Sequence, residues 1–218
     1  AIPLKIRDEV IGVLDIESDK LNVFTDRDLR LFSIFASQAA IAIENARLYD
    51  ETKSLSLTDA LTQIANRRHF DLMIENEFRK ARGYSRPLSL AILDIDNFKH
   101  FNDSYGHLNG DRILVHIAGA LKDNLRDTDF IARYGGEEFV IIFPETSSTV
   151  ALRVSERIRE AIQNQRIMIK GAGKKACTVS IGVSTFPNNA EGIIELIQNA
   201  DKALYRAKQL GKNRIETI

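Results

Sequence analysis

The chain lacks the means to form a disulfide within itself: its 218 residues include a single cysteine, Cys177. That excludes a disulfide-stapled secreted scaffold and fits a reducing cytoplasm. Cys177 opens the alternating run Cys177-Thr178-Val179-Ser180-Ile181-Gly182-Val183 and reads as a buried, inert thiol. The chain also lacks net charge, with Lys+Arg 30 against Asp+Glu 30. Bulk electrostatics therefore argue against a nucleic acid polymer as partner, while a nucleotide pocket stays open. No signal peptide and no apolar run of membrane-spanning length occur, so no membrane contact is expected within this stretch. The sequence starts at Ala1, without methionine and in mid-strand pattern. It reads as a piece of a longer protein, which leaves room for a membrane anchor upstream. What is present is a hydrophobic content of 44%, enough for packed cores in one or two domains.

Ile2 to Arg7 and Val10 to Ile16 predict two strands joined by a turn at Asp8-Glu9. Val10-Ile11-Gly12-Val13-Leu14-Asp15-Ile16-Glu17, followed by Phe24-Thr25-Asp26, resembles the last strands of a GAF domain. The resemblance implies that most of that domain, including its pocket, lies upstream. Thr25 with Asp28 marks a helix start. Leu29, Phe32, Ala36, Ala39, Ile43 and Ala46 then recur at coiled-coil spacing, until Asp50 and Lys53 break the seam before Leu57. Two readings stand side by side: a helix packed on its own domain, or a parallel contact in a homodimer.

Ser56 or Thr58 predicts a new helix to about Arg82, ended by Gly83 to Pro87. Leu88–Asp96 is a predicted strand, with a helix from near Asn97 and another over Leu108–Leu125. Phe130–Arg133 and Glu138–Phe143 form a hairpin. A helix from Thr146 to about Ile162, a strand Cys177–Ser184, a helix Glu191–Leu210 and a strand Arg214–Thr217 complete an α/β (α+β) pattern, a sheet with helices packed on it.

The chemistry concentrates in two acidic clusters. Arg133-Tyr134-Gly135-Gly136-Glu137-Glu138-Phe139 puts two carboxylates at a glycine turn, and Asp94-Ile95-Asp96 ends an apolar run. Two strands that deliver carboxylates to one end of a sheet suit a divalent cation in phosphoryl transfer. The first cluster resembles the signature of the GGDEF family, the diguanylate cyclases, in its Glu-for-Asp form. Asp59-Ala60-Leu61-Thr62 with Asn66-Arg67-Arg68, Asp94 to Lys99 with Asn102-Asp103, Tyr105-Gly106-His107 with Gly110-Asp111, and Ala200-Asp201 with Tyr205, Ala207-Lys208 and Gly211-Lys212-Asn213 follow the family's order and spacing. The resemblance covers 56–218 and implies the ferredoxin-like palm of class III nucleotide cyclases, preceded by a GAF-like end and connecting helix over 1–55.

It further implies that Asp94, the Ile95 carbonyl and Glu137 hold Mg²⁺ or Mn²⁺, with Asp96 as a support. Asn97, Phe98 and Lys99 lead into a helix N-terminus suited to phosphate, and Lys208 and Lys212 reach the triphosphate of GTP. Without the resemblance, these lysines read as solvated surface charges. Asn102 and Asp111 occupy the guanine-reading positions, and His107 is a further binding candidate. Glu137 and Glu138 compete for the role of general base, with Lys99 as a charge for the transition state. The implied reaction condenses two GTP into cyclic di-GMP between two facing chains. Arg126, Asp129 and Arg157 match the family's product-inhibition site; a surface ion pair is the plainer reading. Gln63 departs from the family, which usually has glycine there. The alternative function is a non-catalytic module that binds GTP or cyclic di-GMP.

Overall fold

This computed structural model describes residues 1–7, 9–20, 23–55, 57–169 and 171–218, with backbone only for 48–55. Asp8 and Ser56, and the side chains of Asp50 and Lys53, lie outside the described residues. The chain divides into two compact units, Ala1–Ser56 and Leu57–Ile218.

In the first unit β1 (Ile2–Ile6) pairs antiparallel with β2 (Glu9–Leu14). Helix α1 (Asp26–Leu55) follows. Its start is fixed by reciprocal bonds: the Thr25 backbone N–H and hydroxyl donate to Asp28 Oδ2 at 2.8 and 2.6 Å, and the Asp28 N–H donates back to Thr25 Oγ1 at 3.4 Å. The helix packs on β1, burying Ala36 and Ala40. Small side chains there allow close approach. Of the predicted seam, Ala36 is thus turned to its own hairpin, whereas Leu29 and Ile43 stay exposed.

The second unit is a six-stranded sheet in the order β10-β9-β4-β6-β5-β3. Its strands are β3 (Ala65–Asn66), β4 (Leu88–Ile95), β5 (Phe130–Arg133), β6 (Glu138–Pro144), β9 (Val179–Phe186) and β10 (Ile215–Thr217). A separate small hairpin joins β7 (Ile167–Ile169) to β8 (Gly173–Lys175). The helices are α2 (Arg67–Tyr84), α3 (Phe98–Tyr105), α4 (His107–Asn124), α5 (Ser148–Asn164) and α6 (Ile193–Gln209). In the order β9, β4, β6 and β5 each strand is antiparallel to its neighbour, and the four are connected in the βαββαβ order of the ferredoxin-like fold.

Helices cover both faces of the sheet, so β4 is buried at every position and its run is apolar rather than alternating. Leu93, Phe139, Ile141 and Ile181 pack with α4 and α5 in one core, and Leu90, Ile92, Val140 and Ile142 pack with α2 and α6 in the other. Each such side chain contributes about 1.5–3 kcal/mol. Helix α6 lies directly on β9 at Gly182, where a Cβ would come within 2.0 Å of the Ala200 carbonyl oxygen. That close seat carries the end of α6 to the acidic end of β4.

The predicted helix from Ser56 or Thr58 is corrected: α2 starts at Arg67, with the Asn66 side chain accepting from the His69 N–H as its cap. Asp59 takes the Thr62 N–H at 2.8 Å and its hydroxyl at 2.6 Å, tightening the preceding segment into a turn. Gln63 completes that turn at φ 55°. Local side-chain bonding here overrides helix propensity.

Candidate active site

The two aspartates at the end of β4 serve different ends. Asp94 is still within β4, 6% exposed, opposite Glu138 of β6 and Ser180 of β9. Asp96 lies just past the strand end and turns to β9. It accepts from the Thr178 and Ser180 hydroxyls, each at 2.7 Å, and from the Asn213 backbone N–H at 3.0 Å. Asp96 is therefore saturated by structural partners. Asp94 instead holds Lys208 Nζ at 2.8 Å. Burial raises the Asp94 pKa, Lys208 opposes this, and the nearby Asp96 adds to it.

The hairpin between β5 and β6 brings Glu137 to the same end. The Ile95 N–H reaches the Glu137 carbonyl at 3.4 Å. Burial and then the Asp94 charge raise the Glu137 pKa. Glu138 folds back across the turn, with its Oε2 only 2.5 Å from where a Cβ on Gly135 would stand. A side chain at 135 would displace the Glu138 carboxylate from this position.

A clamp not foreseen from the sequence holds this turn. Arg133 donates to the Gly136 carbonyl through Nη2 at 2.7 Å and pairs through Nη1 with Asp59 at 3.2 Å. Both side chains are largely shielded, so the pair is worth more than a surface one. Burial works to raise the Asp59 pKa, but the bonds from Thr62 and the charge of Arg133 prevail and lower it. Tyr134 is anchored on α2, edge-on to the Phe70 ring with the Arg67 guanidinium over its face. The partners are distant in sequence, so no local motif announces the clamp.

Asn97 sits at φ 59° before α3, and its side chain bonds Lys212 Nζ. Phe98 is buried beneath, while Lys99 is exposed. Asn102 Oδ1 is buried without a donor, and a Cβ on Gly110 would fall 1.9 Å from it. The crevice between α3 and α4 therefore presents a free acceptor against a bare glycine. Asp111 is half-buried one residue on, and His107 is exposed at the start of α4.

Among the described residues no three His, Cys, Asp or Glu side chains gather as a metal cluster. A cation here would rest on Asp94, Glu137, the Ile95 carbonyl and oxygens of its ligand. The residues fit that use: burial raises the pKa of both carboxylates, the Asp94 charge raises that of Glu137 further, and Lys208 already stands against Asp94. Hard oxygen donors of this kind suit Mg²⁺ or Mn²⁺.

Arg126 and Asp129 share the turn between α4 and β5, and Arg157 on α5 reaches the end of α4. Asp129 Oδ2 accepts the Arg126 backbone N–H at 3.0 Å, and no ion pair joins the two side chains. The plainer ion-pair reading is thereby corrected: the turn uses the carboxylate and leaves the exposed guanidinium outward. Arg157 Nη2 donates to the Asn124 carbonyl at 2.6 Å. An open groove of about 470 Å³ beside Arg126 is lined by Gln63, His69, Lys122, Asp129 and Phe130.

Residues 56–214 match the family described as diguanylate cyclase, GGDEF domain, and residues 1–45 match the GAF domain. Diguanylate cyclase A of Treponema denticola is 37% identical over 98% of this chain, and the chain spans 58% of that protein's length. The GGDEF domain of DgcB from Caulobacter crescentus, solved in complex with c-di-GMP, aligns with TM-score 0.70 and 35% identity over 74% of this chain and 95% of its own. The active GGEEF domain of a diguanylate cyclase from Vibrio cholerae aligns with TM-score 0.65 and 33% identity, over 70% of this chain and 96% of its own. Ordered motifs, ferredoxin-like sheet and matched relatives agree: the chain belongs to the family of GGDEF-domain diguanylate cyclases.

Proposed function

We propose that this chain condenses two GTP into cyclic di-GMP and two pyrophosphates, as a homodimer in the bacterial cytoplasm. The observation that carries this is the pair Asp94 and Glu137 at the mouth of a buried strand, with Lys208 Nζ 2.8 Å from Asp94. Two acids so placed favour a cation beside a triphosphate. Asp94, Glu137 and the Ile95 carbonyl would hold Mg²⁺ or Mn²⁺. When bound, that ion supplies charge stabilisation and makes a coordinated hydroxyl more acidic.

The chain's own groups do the rest. Asn102 and Asp111 read the guanine: the unpaired Asn102 Oδ1 can accept a base N–H. Lys208 and Lys212 neutralise the triphosphate, and Lys99 adds charge at the start of α3. The 3′-hydroxyl of one GTP attacks the α-phosphorus of the other. Its proton passes to Glu137 or Glu138, and the bond to pyrophosphate breaks. A second, reciprocal attack closes the ring. Each half-site holds one GTP, so two chains must face each other. Incubating the purified chain with GTP and Mg²⁺ should yield cyclic di-GMP by mass spectrometry. Binding of GTP without turnover would support the non-catalytic module instead.

Cyclic di-GMP acts back through Arg126 and Asp129, with Arg157 assisting. The outward Arg126 guanidinium beside the open groove supports this, since such groups stack on guanine and fork onto phosphate. Arg126→Ala should remove product inhibition with an initial rate near normal. Undiminished inhibition in that variant would return the motif to a structural turn.

A further inference from the structure

The loop that carries Lys212 is built in an unfavourable backbone shape. Gly211, Lys212 and Asn213 have φ of 113°, 62° and 48° in succession. Two consecutive non-glycine residues in the left-handed region do not persist without outside support. The support comes from α5. Arg159 Nη1 donates to Asn213 Oδ1 at 2.7 Å, and the Asn213 side-chain amide donates to Gln163 Oε1 at 3.2 Å. Arg159 is itself fixed. Its Nε and Nη2 hold Glu156 at 3.0 and 2.7 Å, another Nη1 contact reaches Gln163, and the side chain is only 12% exposed. From the other side the Asn213 N–H is bonded to Asp96. Asn213 is thus gripped at three points, and the residue before it, Lys212, is aimed at Asn97 at the head of α3.

We infer that Arg159, held by Glu156 and Gln163, is a positioning residue for the polyphosphate of the substrate, acting through Asn213 to aim Lys212. This rests on the assignment of Lys212 to the triphosphate. A planar guanidinium meeting three acceptors at once is the group for such a task; lysine offers a point charge and cannot hold the same fork. Without the clamp Lys212 still carries its charge but samples other directions. Binding of the triphosphate then weakens in ground and transition state alike, while the base and the acids are untouched.

The test measures GTP turnover and equilibrium binding of GTP and GMP in Arg159→Ala, Arg159→Lys, Lys212→Ala and the double variant. Arg159→Ala should raise the KM for GTP about tenfold with kcat within about twofold. Affinity for GMP, which lacks the outer phosphates, should be unchanged. In the Lys212→Ala background the further loss should shrink to less than about twofold, because both substitutions remove one interaction. Arg159→Lys should show the same pattern at smaller size, which covers the case of an unstable alanine variant. Equal weakening of GTP and GMP, or a full additional loss in the double variant, would overturn the inference. So would an unchanged KM in Arg159→Ala where Lys212→Ala raises it. An unchanged KM in Lys212→Ala itself would instead overturn the triphosphate role of Lys212.

Discussion

The two units of the chain dispose of their apolar residues in opposite ways. In Leu57–Ile218 the central strands are buried on both faces, and Leu90, Leu93, Phe139, Ile141 and Ile142 are fully enclosed. In Ala1–Ser56 the only well-buried described side chains are alanines, Ala36 and Ala40. Leu31, Ile34, Phe35 and Ile41 stand on α1 in water, Ile34 at 60% and Phe35 at 62% exposure. A stripe of that kind favours a matching surface. Buried apolar packing is thus concentrated in the C-terminal unit, whereas α1 leaves an apolar stripe exposed.

If the C-terminal unit is self-sufficient, its chemistry can be deleted without harm to its fold. Glu137→Ala and Asp94→Asn should abolish synthesis while circular dichroism and melting stay as in the parent. Asp94→Asn also removes a desolvated charge, so its melting temperature should not fall. Activity within about tenfold of the parent, some 1.4 kcal/mol, would take these carboxylates out of the reaction. A collapse of the fold would show that the acids are structural.

A chain cut to Leu57–Ile218 should still melt cooperatively, but its rate per chain should depend more steeply on concentration than the parent's. Joining two halves raises their effective concentration, to the millimolar range for short links. Ile34→Ser with Ile41→Ser in the full chain should move the rate in the same direction, because both remove apolar surface from one helix face. A rate per chain that is independent of dilution in all three proteins would remove α1 from assembly.

Sequence reading served the two units unequally, for physical reasons. Strands β4 and β6 were legible because a strand covered on both faces is an unbroken apolar run between turn signals. The acids at their ends, and the glycines between, stood out for the same reason. The segment from Thr58 to Asn66 carries helix propensity, but the Asp59 carboxylate draws it into a turn through Thr62 and is held there by Arg133 from far along the chain. Asp94 and Asp96 part company because β4 ends at Ile95 and the chain turns. On α1 spacing alone marks the seam, and spacing cannot say that Ala36 and Ala40 meet the helix's own hairpin. The fork of Arg159 on Asn213 joins residues 54 apart and leaves no local trace.

A third, smaller effect sharpens the boundary between the units. Asp59 opens the C-terminal unit and pairs with Arg133, which holds the Gly136 carbonyl of the turn between β5 and β6. Arg133→Ala should lower turnover about tenfold, the scale of one charge-assisted bond, with lesser loss of stability. Asp59→Asn should do the same more mildly. The folded pKa of Asp59 is lowered, so its contribution is present above the unfolded carboxylate value of 3.8 and is lost as pH falls through the folded one. Acid unfolding should therefore be less pH-sensitive in Asp59→Asn below about pH 4. Parent-like turnover in Arg133→Ala would mean that the turn is held by Tyr134 on α2 alone.

The smallest expected effect is at Gln63, where the family usually carries glycine. Its φ of 55° is the shape a glycine adopts freely, and a side chain there costs about 1 kcal/mol. Gln63 nevertheless keeps the turn: its N–H reaches the Asp59 carbonyl at 2.9 Å and its side-chain amide the Ala60 carbonyl at 2.7 Å. Its own carbonyl accepts Lys122 Nζ at 3.1 Å. Gln63→Gly would relieve the backbone but forfeit the exposed Ala60 bond and loosen the unfolded chain, each worth about 0.5–1 kcal/mol. The terms nearly cancel, so urea unfolding should shift by less than about 1 kcal/mol and turnover should stay within about twofold. A loss well above that would show that the side-chain bond to Ala60, rather than the Asp59–Thr62 contacts, holds the entry to the C-terminal unit. A gain of several kcal/mol would mean that the turn stores strain, and the self-sufficiency of this unit would then have been gained against its own first turn.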